Sequence, residues 1–485
     1  MKIGIVGSGI AAIATSIRLV NKGNSVVIIE SNDKPGGKLT SFKSGDYFFD
    51  AGPSLFTMPT LINEIYNEVE IDMRKYFQYQ QLDKTCHYFY EDGTIIHGKT
   101  DLHQYAQEIK DKLNVPKQKV IDYLNHSKQI YELTSYLFLQ KSLHKPRTYF
   151  DKRIFRTLFN IQKLNLNKTM NEVNQKKLQH PKLVQLFNRF ATYNGSNPYQ
   201  APAVLNIIPH LEHNQGTYFP KGGMRAITNS LYQLSIDLGV TYKFNETVDQ
   251  ILIKDKKVIG LKTQKQDYQF DRIVSNMDIY PTYKKLLSNH KPPHKILNQP
   301  RSSSALIFYW GIKKEFKQLD LHNIFFTEDY HQEFKSIFEE KTIYHDPTIY
   351  INISSKYNKT DAPKGCENWF VMINVPNNIG QNWDELIKKS KKNILQKLTR
   401  MLKQPIEKLI ETEEILDPRK IESKTSSYQG ALYGASSNNK MAAFLRHKNF
   451  SSKIKGLYFV GGSVHPGGGI PLCLLSSKIV SENFK

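Results

Sequence analysis

Apolar and polar positions follow the most regular order at the two ends of the chain. Residues 2–6 read as a short apolar strand. Ile13, Ile17, Leu19 and Val20 follow at helical spacing as far as Gly23, and residues 26–29 form a second apolar run that stops at Glu30. This order predicts a strand, a helix and a second strand. Near the other end, residues 457–460 read as a strand running into a glycine-rich stretch, and a helix is predicted from about Pro471 to Asn483, with the proline suited to its first turn. In the middle, Ala305 to Trp310, Ile349 to Ile353 and Trp369 to Val375 are β-branched and aromatic runs of strand length, which predict an antiparallel sheet. No internal repeat or low-complexity run breaks this order.

Small and acidic residues at the amino end carry a recognisable chemistry. Gly7-Ser8-Gly9-Ile10-Ala11-Ala12 has the pattern G-x-G-x-x-A and sits where the first strand turns into the first helix. Gly7 allows the tight turn, Gly9 lets a pyrophosphate approach the backbone, and Ala12 permits close packing of helix on strand. The helix start offers free N–H groups and a partial positive charge to the phosphates. Glu30 is placed to accept from both hydroxyls of an adenosine ribose, which disfavours a 2′-phosphate. These offsets predict a dinucleotide site. At the carboxyl end, Gly467-Gly468-Gly469 removes three successive Cβ atoms where a flat ring system can lie against backbone. The dipole of the following helix points to where negative charge would develop on reducing such a ring.

Charge adds a possible partner. The 485 residues include 67 Lys+Arg against 45 Asp+Glu, a net +22 that excludes a basic partner surface and leaves nucleic acid, anionic membrane and acidic ligands open. Twelve of the basic residues but only Asp151 and Glu172 among the acids fall in residues 141–190, interleaved with Tyr149, Phe150, Ile154, Phe155, Leu158, Phe159 and Ile161. A basic amphipathic helix is predicted there and read as a contact with a membrane surface, the alternative being a solvated basic face over an ordinary apolar stripe. Only 12 of the 67 basic residues are Arg, and no nucleic-acid-binding motif occurs, so nucleic acid is not expected. Cys86, Cys366 and Cys473 lack metal-ligand spacing, and neither a disulfide framework nor a metal is expected. There is no signal-peptide pattern and no apolar run of about 18 residues. The expected location is the cytoplasm, peripheral to the inner face of the cell membrane.

Further motifs join these. Pro35-Gly36-Gly37-Lys38-Leu39-Thr40-Ser41 and Phe49-Asp50-Ala51-Gly52-Pro53 follow Glu30; Tyr218 to Met224 and Asp271 to Asp278 occupy the middle; Gly461-Gly462-Ser463-Val464-His465-Pro466 precedes the triple glycine. Together they resemble the two-dinucleotide-binding-domain flavoproteins, and within these the bacterial carotenoid desaturases of the phytoene desaturase family. Ser196 to Pro202, His210 to Asn214 and His322 to Phe326 are most similar to a flavobacterial branch that desaturates the 3,4 bond of 1-hydroxylated carotenoids, such as 1′-hydroxy-γ-carotene. Gly462 and Ser463 stand where many amine oxidases carry an acid, and Lys38 stands where the family usually has Arg.

The resemblance implies an α/β fold: a Rossmann-like FAD-binding domain from residues 1–75, 216–299 and 426–485, an α+β sheet domain for substrate from 76–110 and 300–425, and a helical, membrane-facing part from 111–215. It implies FAD as cofactor, held by Gly7, Ser8, Gly9, Ile10, Ala11, Ala12, Glu30, Ser31, Gly36, Gly37, Lys38, Leu39, Gly52, Pro53, Val248, Asn276, Gly462, Ser463, Gly469, Ile470 and Pro471. Lys38 is expected to bring charge to the pyrophosphate without the fork of an arginine. A carotenoid is the implied substrate, and a quinone or oxygen the implied electron acceptor. His465 and His213 are the candidates for handling a proton, the alternatives being a loop histidine bonded to local backbone and an ordinary surface residue. His213 and Glu212 are also candidates for meeting a terminal hydroxyl. Three other activities use the same scaffold: phytoene or dehydrosqualene desaturation, redox-neutral carotenoid isomerisation, and non-enzymatic escort of prenylated proteins.

Overall fold

The computed structural model describes residues 1–151, 159–439 and 445–484. Five parallel strands form one sheet, in the order Leu457–Phe459, Arg272–Ser275, Lys2–Val6, Ser25–Ile29 and Thr241–Lys243. Lys2–Val6 lies at the centre, where both faces are covered, and so Ile3 and Ile5 are fully buried. The helix Ile10–Val20 packs on this sheet beside the helix Ile470–Asn483. Its Ala11, Ala12 and Leu19 meet Ile3, Ile5 and Val480, while Ile10, Ile13 and Ile17 face Leu231 and Leu474. After its last residue the chain turns at Gly23, whose φ of 76° glycine adopts without strain. A three-stranded antiparallel layer follows, Val248–Lys254, Lys257–Thr263 and Asp267–Gln269.

A second sheet has seven strands, in the order Ile410–Leu416, Ser304–Ile312, Glu367–Val375, Ile349–Ile353, His322–Phe325, Lys84–Phe89 and Ile95–Lys99. It is mixed rather than purely antiparallel, because His322–Phe325 and Lys84–Phe89 run parallel. The period of two sorts its side chains. Leu306, Phe308, Trp310, Trp369, Val371 and Ile373 pack with Ile394, Leu398 and Leu402 of the helix Trp383–Leu402. Each such buried side chain contributes about 1.5–3 kcal/mol. Ala305, Ile307, Tyr309, Phe370, Met372, Tyr350, His322 and Ile324 belong to the opposite parity, and all line a cavity. The helix Trp383–Leu402 is started by Asn382, whose side chain accepts from the Glu385 amide, and carries Asp384 and Glu385 where the helix dipole favours acids.

The continuous basic helix expected within 141–190 is not present in its described parts. Three-residue-per-turn segments, Pro146–Phe150 and Ile161–Leu164, stand among the aromatic residues, the second stopping at Asn165 in a left-handed conformation, and two separate α-helices, Met170–Leu178 and Pro181–Asn188, follow. Lys152, Arg153, Ile154, Phe155, Arg156 and Leu158 lie outside the described residues. Part of the basic excess is spent on partners within the chain: Lys141 pairs with Glu482 and Lys182 with Asp92 at the surface, and Arg189 is buried against Glu212. Among the described residues, no helix is long and apolar enough to cross a membrane.

Candidate active site

The carboxyl ends of the central parallel strands converge on one groove, the position where open α/β sheets bind ligands. Gly7 turns there with φ 83°. The next helix begins at Gly9 without a side-chain cap, so the free N–H groups of its first turn face the groove. Ser8 donates to Glu30 from both its amide (2.7 Å) and its hydroxyl (2.8 Å), and Asn32 donates to the other carboxylate oxygen from its amide (2.9 Å) and its side chain (2.6 Å). These bonds fix Glu30 at the end of its strand. Ser31 lies beside it in the lining, and Val248, nearly buried, lines the same end with Glu246 and Thr247.

Asn276 explains two glycines at once. Its amide bonds to the Val6 carbonyl (2.9 Å), and its Nδ2 donates to the Val460 carbonyl (3.1 Å), so the side chain is wedged between the two glycine turns. A Cβ on Gly9 would stand 2.5 Å from Asn276 Oδ1, and one on Gly461 2.5 Å from its Nδ2. Gly37 also comes close to backbone, since its Cβ would meet Gly9 Cα at 3.3 Å. Gly36 bonds to the Ser8 carbonyl, and a Cβ on Gly52 would overlap the Lys38 carbonyl at 2.0 Å. At the carboxyl end, Gly462 and Ser463 line the groove, Ser463 Oγ accepting from the Ile279 amide (2.9 Å). The helix Ile470–Asn483 begins after Gly469 at φ 104°, with Pro471 in its first turn and Gly469, Ile470 and Pro471 in the lining.

Lys38 is placed differently from the expectation. Its Nζ donates to the Leu432 carbonyl (3.0 Å) and reaches the Ala431 carbonyl at 3.5 Å. Burial lowers its pKa, opposed by the charge of Asp278. It therefore ties the 36–40 loop to the 431–434 loop instead of offering a free charge to a phosphate.

The groove opens without interruption into an apolar chamber, and together they enclose about 1890 Å³. The seven-stranded sheet forms one wall. Leu137, Phe138, Leu164, Leu205 and Ile208 form the other, and Tyr149 and Leu166, both exposed, stand at the rim. Two polar clusters interrupt this lining. In one, Arg189 donates to Glu212 Oε1 (2.6 Å) and to the Tyr88 hydroxyl (2.6 Å), while the Tyr193 hydroxyl donates to Glu212 Oε2. Burial alone would raise the Glu212 carboxyl, but the Arg189 charge holds it below its ordinary value. In the other, the Tyr350 hydroxyl bridges Ser54 Oγ (2.8 Å) and His322 Nδ1 (2.8 Å). Ser54 directly follows the Gly52-Pro53 pair.

Neither candidate histidine reaches the cavity. His465 is buried behind the glycine loop with Nε2 2.8 Å from the Lys141 carbonyl, so the loop histidine is bonded to backbone. His213 is stacked on Tyr105 at 4.5 Å, behind Glu212. Burial pushes both down to about 4, which keeps them neutral. Neither belongs to the lining, and geometry gives neither a substrate proton to handle. Glu212 does line the chamber, with Arg189, Tyr193, His322, Tyr350 and Ser54, of which the sequence reading had singled out only Glu212 and the His322 segment.

The residues present fit a flavin dinucleotide. A fixed carboxylate stands beside an uncapped helix start, hydrogen-bonded to the Ser8 amide that precedes it, Gly7 and Gly9 leave the turn there open, and the apolar chamber is continuous with this groove.

Comparison with known proteins places the chain. The model of the flavin containing amine oxidoreductases matches residues 10–483. The 1-hydroxycarotenoid 3,4-desaturase of a Flavobacterium species is 53% identical over 481 residues, 99% of this chain and 98% of that protein. The 4,4′-diapolycopene oxygenase of a Methylomonas species is 30% identical over 491 residues, 99% and 97% of the two chains. Among solved structures, an oxidoreductase from Methanosarcina mazei superimposes with a TM-score of 0.64 at 13% identity, covering 99% of this chain and 100% of that one. Putrescine oxidase bound to putrescine gives 0.64 at 11% identity, covering 100% and 99%, a likeness of fold alone. The chain belongs to the flavin-containing amine oxidoreductase family and is an FAD-dependent oxidoreductase of its carotenoid-desaturase type.

Proposed function

We propose that this enzyme introduces a double bond at the 3,4 position of a 1-hydroxylated carotenoid. The observation that carries the reading is the 53% identity, end to end, with a protein of that activity. The chamber supports it: its walls are apolar and aromatic, and it is continuous with the dinucleotide groove.

Bound FAD supplies a two-electron acceptor, re-oxidised in turn by a quinone or oxygen. The chain's own part is placement. The Tyr309 hydroxyl donates to the Ala51 carbonyl (2.6 Å), fixing the loop that leads to Gly52 and Pro53. Ile307, Tyr309, Phe370 and Met372 press a flat polyene toward that loop and exclude water. One hydrogen leaves its carbon as hydride and the neighbouring carbon releases a proton. The adjoining polyene spreads the positive charge in between, so a weak acceptor suffices. We also infer that the rim docks on a membrane. Phe150, which adjoins the half-open Tyr149 of the chamber mouth, is 80% exposed, and Phe159 is 87% exposed, which suits a substrate dissolved in lipid.

The test is incubation of the flavin-loaded protein with 1′-hydroxy-γ-carotene and, separately, phytoene, followed by absorption and mass spectra. Loss of two hydrogens and a red shift with the hydroxylated substrate alone is expected. Desaturation of phytoene alone, a gain of oxygen, or a cis–trans change without loss of hydrogen would each replace the reading.

A further inference from the structure

The His322 ring has a determined tautomer. Its Nδ1 lies 3.3 Å from Asn352 Nδ2, which also donates to the Leu321 carbonyl (3.0 Å). An amide nitrogen can only donate, so Nδ1 is an acceptor and the proton of the neutral ring sits on Nε2. Burial holds the ring neutral, its pKa pushed down to about 4, with Glu212, Asp320 and Arg189 as the charges acting on it. That Nε2–H is buried and has no partner among the described residues. The same is true of Arg189 Nε, whose guanidinium is enclosed by Phe190 (4.2 Å), Tyr88 (5.0 Å) and Tyr193 (5.5 Å). Both residues line the chamber. Buried donors in an apolar wall are unfavourable unless a ligand oxygen meets them.

Position narrows what that oxygen is. His322 is joined through Tyr350 to Ser54 by two hydrogen bonds of 2.8 Å, and Ser54 adjoins the Gly52-Pro53 loop of the flavin groove. The oxygen is therefore bound close to the reacting bond, not at a distant end of the chamber. On a 1-hydroxylated carotenoid the hydroxyl carbon is two bonds from C3, which places its oxygen beside the 3,4 bond. A hydroxyl also donates, and Glu212 lines the chamber as an ionised acceptor.

We propose that His322 Nε2–H, assisted by Arg189 Nε–H, binds the substrate hydroxyl oxygen and so determines both specificity for hydroxylated carotenoids and which bond lies at the flavin. The proposal rests on the function stated above and names the group that reads the substrate. His322 is a specificity-determining residue, and no proton transfer is assigned to it.

The test compares two substrates with the same polyene, one carrying the hydroxyl and one lacking it. Wild-type protein turns over the hydroxylated substrate with a kcat/KM at least about 100-fold higher, as expected of a site built to hydrogen-bond a hydroxyl. His322→Leu lowers that ratio by roughly 10–100-fold, and His322→Gln, which retains an N–H in about the same place, lowers it less. FAD content, read from the flavin absorbance, reports on folding of each variant. Equal use of both substrates by the wild type overturns the proposal, and so does an unchanged ratio in either flavin-loaded variant. Failure of the wild type to desaturate either substrate refutes the underlying function instead. If His322→Leu does not retain flavin, the Gln variant and the wild-type ratio decide.

Discussion

The two ends of the cavity are built on opposite principles. The dinucleotide groove is made of backbone: Gly7, Gly9, Gly37 and Gly461 clear the space, and its fixed charge is Glu30, held by four short hydrogen bonds from residues on its own two loops. The chamber is made of side chains. Its apolar wall comes from one parity of three long strands, and its polar groups, Arg189, Glu212, Tyr350 and His322, come from segments far apart in the chain. A site of backbone is local, sensitive to any added atom and indifferent to repacking. A site of side chains is assembled from long-range contacts and can be retuned by one substitution.

The sharpest way to break the comparison is at Gly9. In Gly9→Val the new Cβ falls 2.5 Å from Asn276 Oδ1, and Asn276 cannot swing aside without releasing the Val460 carbonyl. Flavin retention should fall from near one equivalent to below about a tenth, while the chamber is untouched. A normal flavin content, measured by absorbance of the purified protein, would show that the groove tolerates side chains after all. This end was readable in advance because its constraints are short in sequence: a glycine pattern, a helix and an acid within 30 residues describe a local object. The role of Asn276 was not, since its two partners lie 270 and 184 residues away.

At the chamber, Glu212→Ala leaves the Arg189 charge buried without its carboxylate, a loss of about 3–5 kcal/mol of stability. Chemical denaturation measures it. Replacing both partners, Arg189→Leu with Glu212→Leu, should recover most of the loss, because the desolvation cost disappears with the charges. If the double variant is as unstable as the single one, the pair holds the chamber together as well as neutralising itself. Arg189 illustrates what a linear reading misses. Counted among twelve basic residues of one segment, it belongs to the surface charge; in the fold it is 4% exposed and faces inward. The parity of His322 and Tyr350 was legible once their strands were given, but His322–Phe325 pairs in parallel with Lys84–Phe89, a long-range choice that periodicity does not encode. The same limit applies to residues 141–190, where hydrophobic spacing suggested one basic helix and the described parts form two short three-residue-per-turn segments and two separate α-helices, Met170–Leu178 and Pro181–Asn188.

Acid should act more on the chamber than on the groove. Burial pushes seven histidines down to about 4: His322 lines the chamber, His87, His126, His210 and His213 lie outside its lining in the strand Lys84–Phe89 and the helical segments 117–135 and 210–214, and His447 and His465 lie behind the glycine loop. An unfolded histidine takes its proton near 6.5, so between 6.5 and 4 the unfolded chain binds more protons and stability falls with pH. Asp50, raised to about 6, and Glu333, raised to about 7, work in the opposite sense and offset part of it. The melting temperature should drop by on the order of 5 °C or more from pH 7 to pH 5. A flat profile would mean the buried histidines are not neutral.

The smallest effect is expected at the rim, where the chamber meets solvent. Phe150 and Phe159 are the most exposed large apolar side chains of the described chain, and neither contributes to a core cluster. Phe150→Ser with Phe159→Ser should therefore leave folding and flavin content unchanged. If the rim docks on lipid, each ring buries apolar area in the bilayer interface, and the double variant should bind anionic vesicles roughly 10-fold more weakly in co-sedimentation. Desaturation should fall in parallel when the carotenoid is supplied in those vesicles, and not when it is supplied in detergent. Unchanged sedimentation would move the docking surface away from the chamber mouth. Equal losses in vesicles and detergent would make the rim part of the substrate site itself, extending the side-chain-built half of the cavity out to the surface.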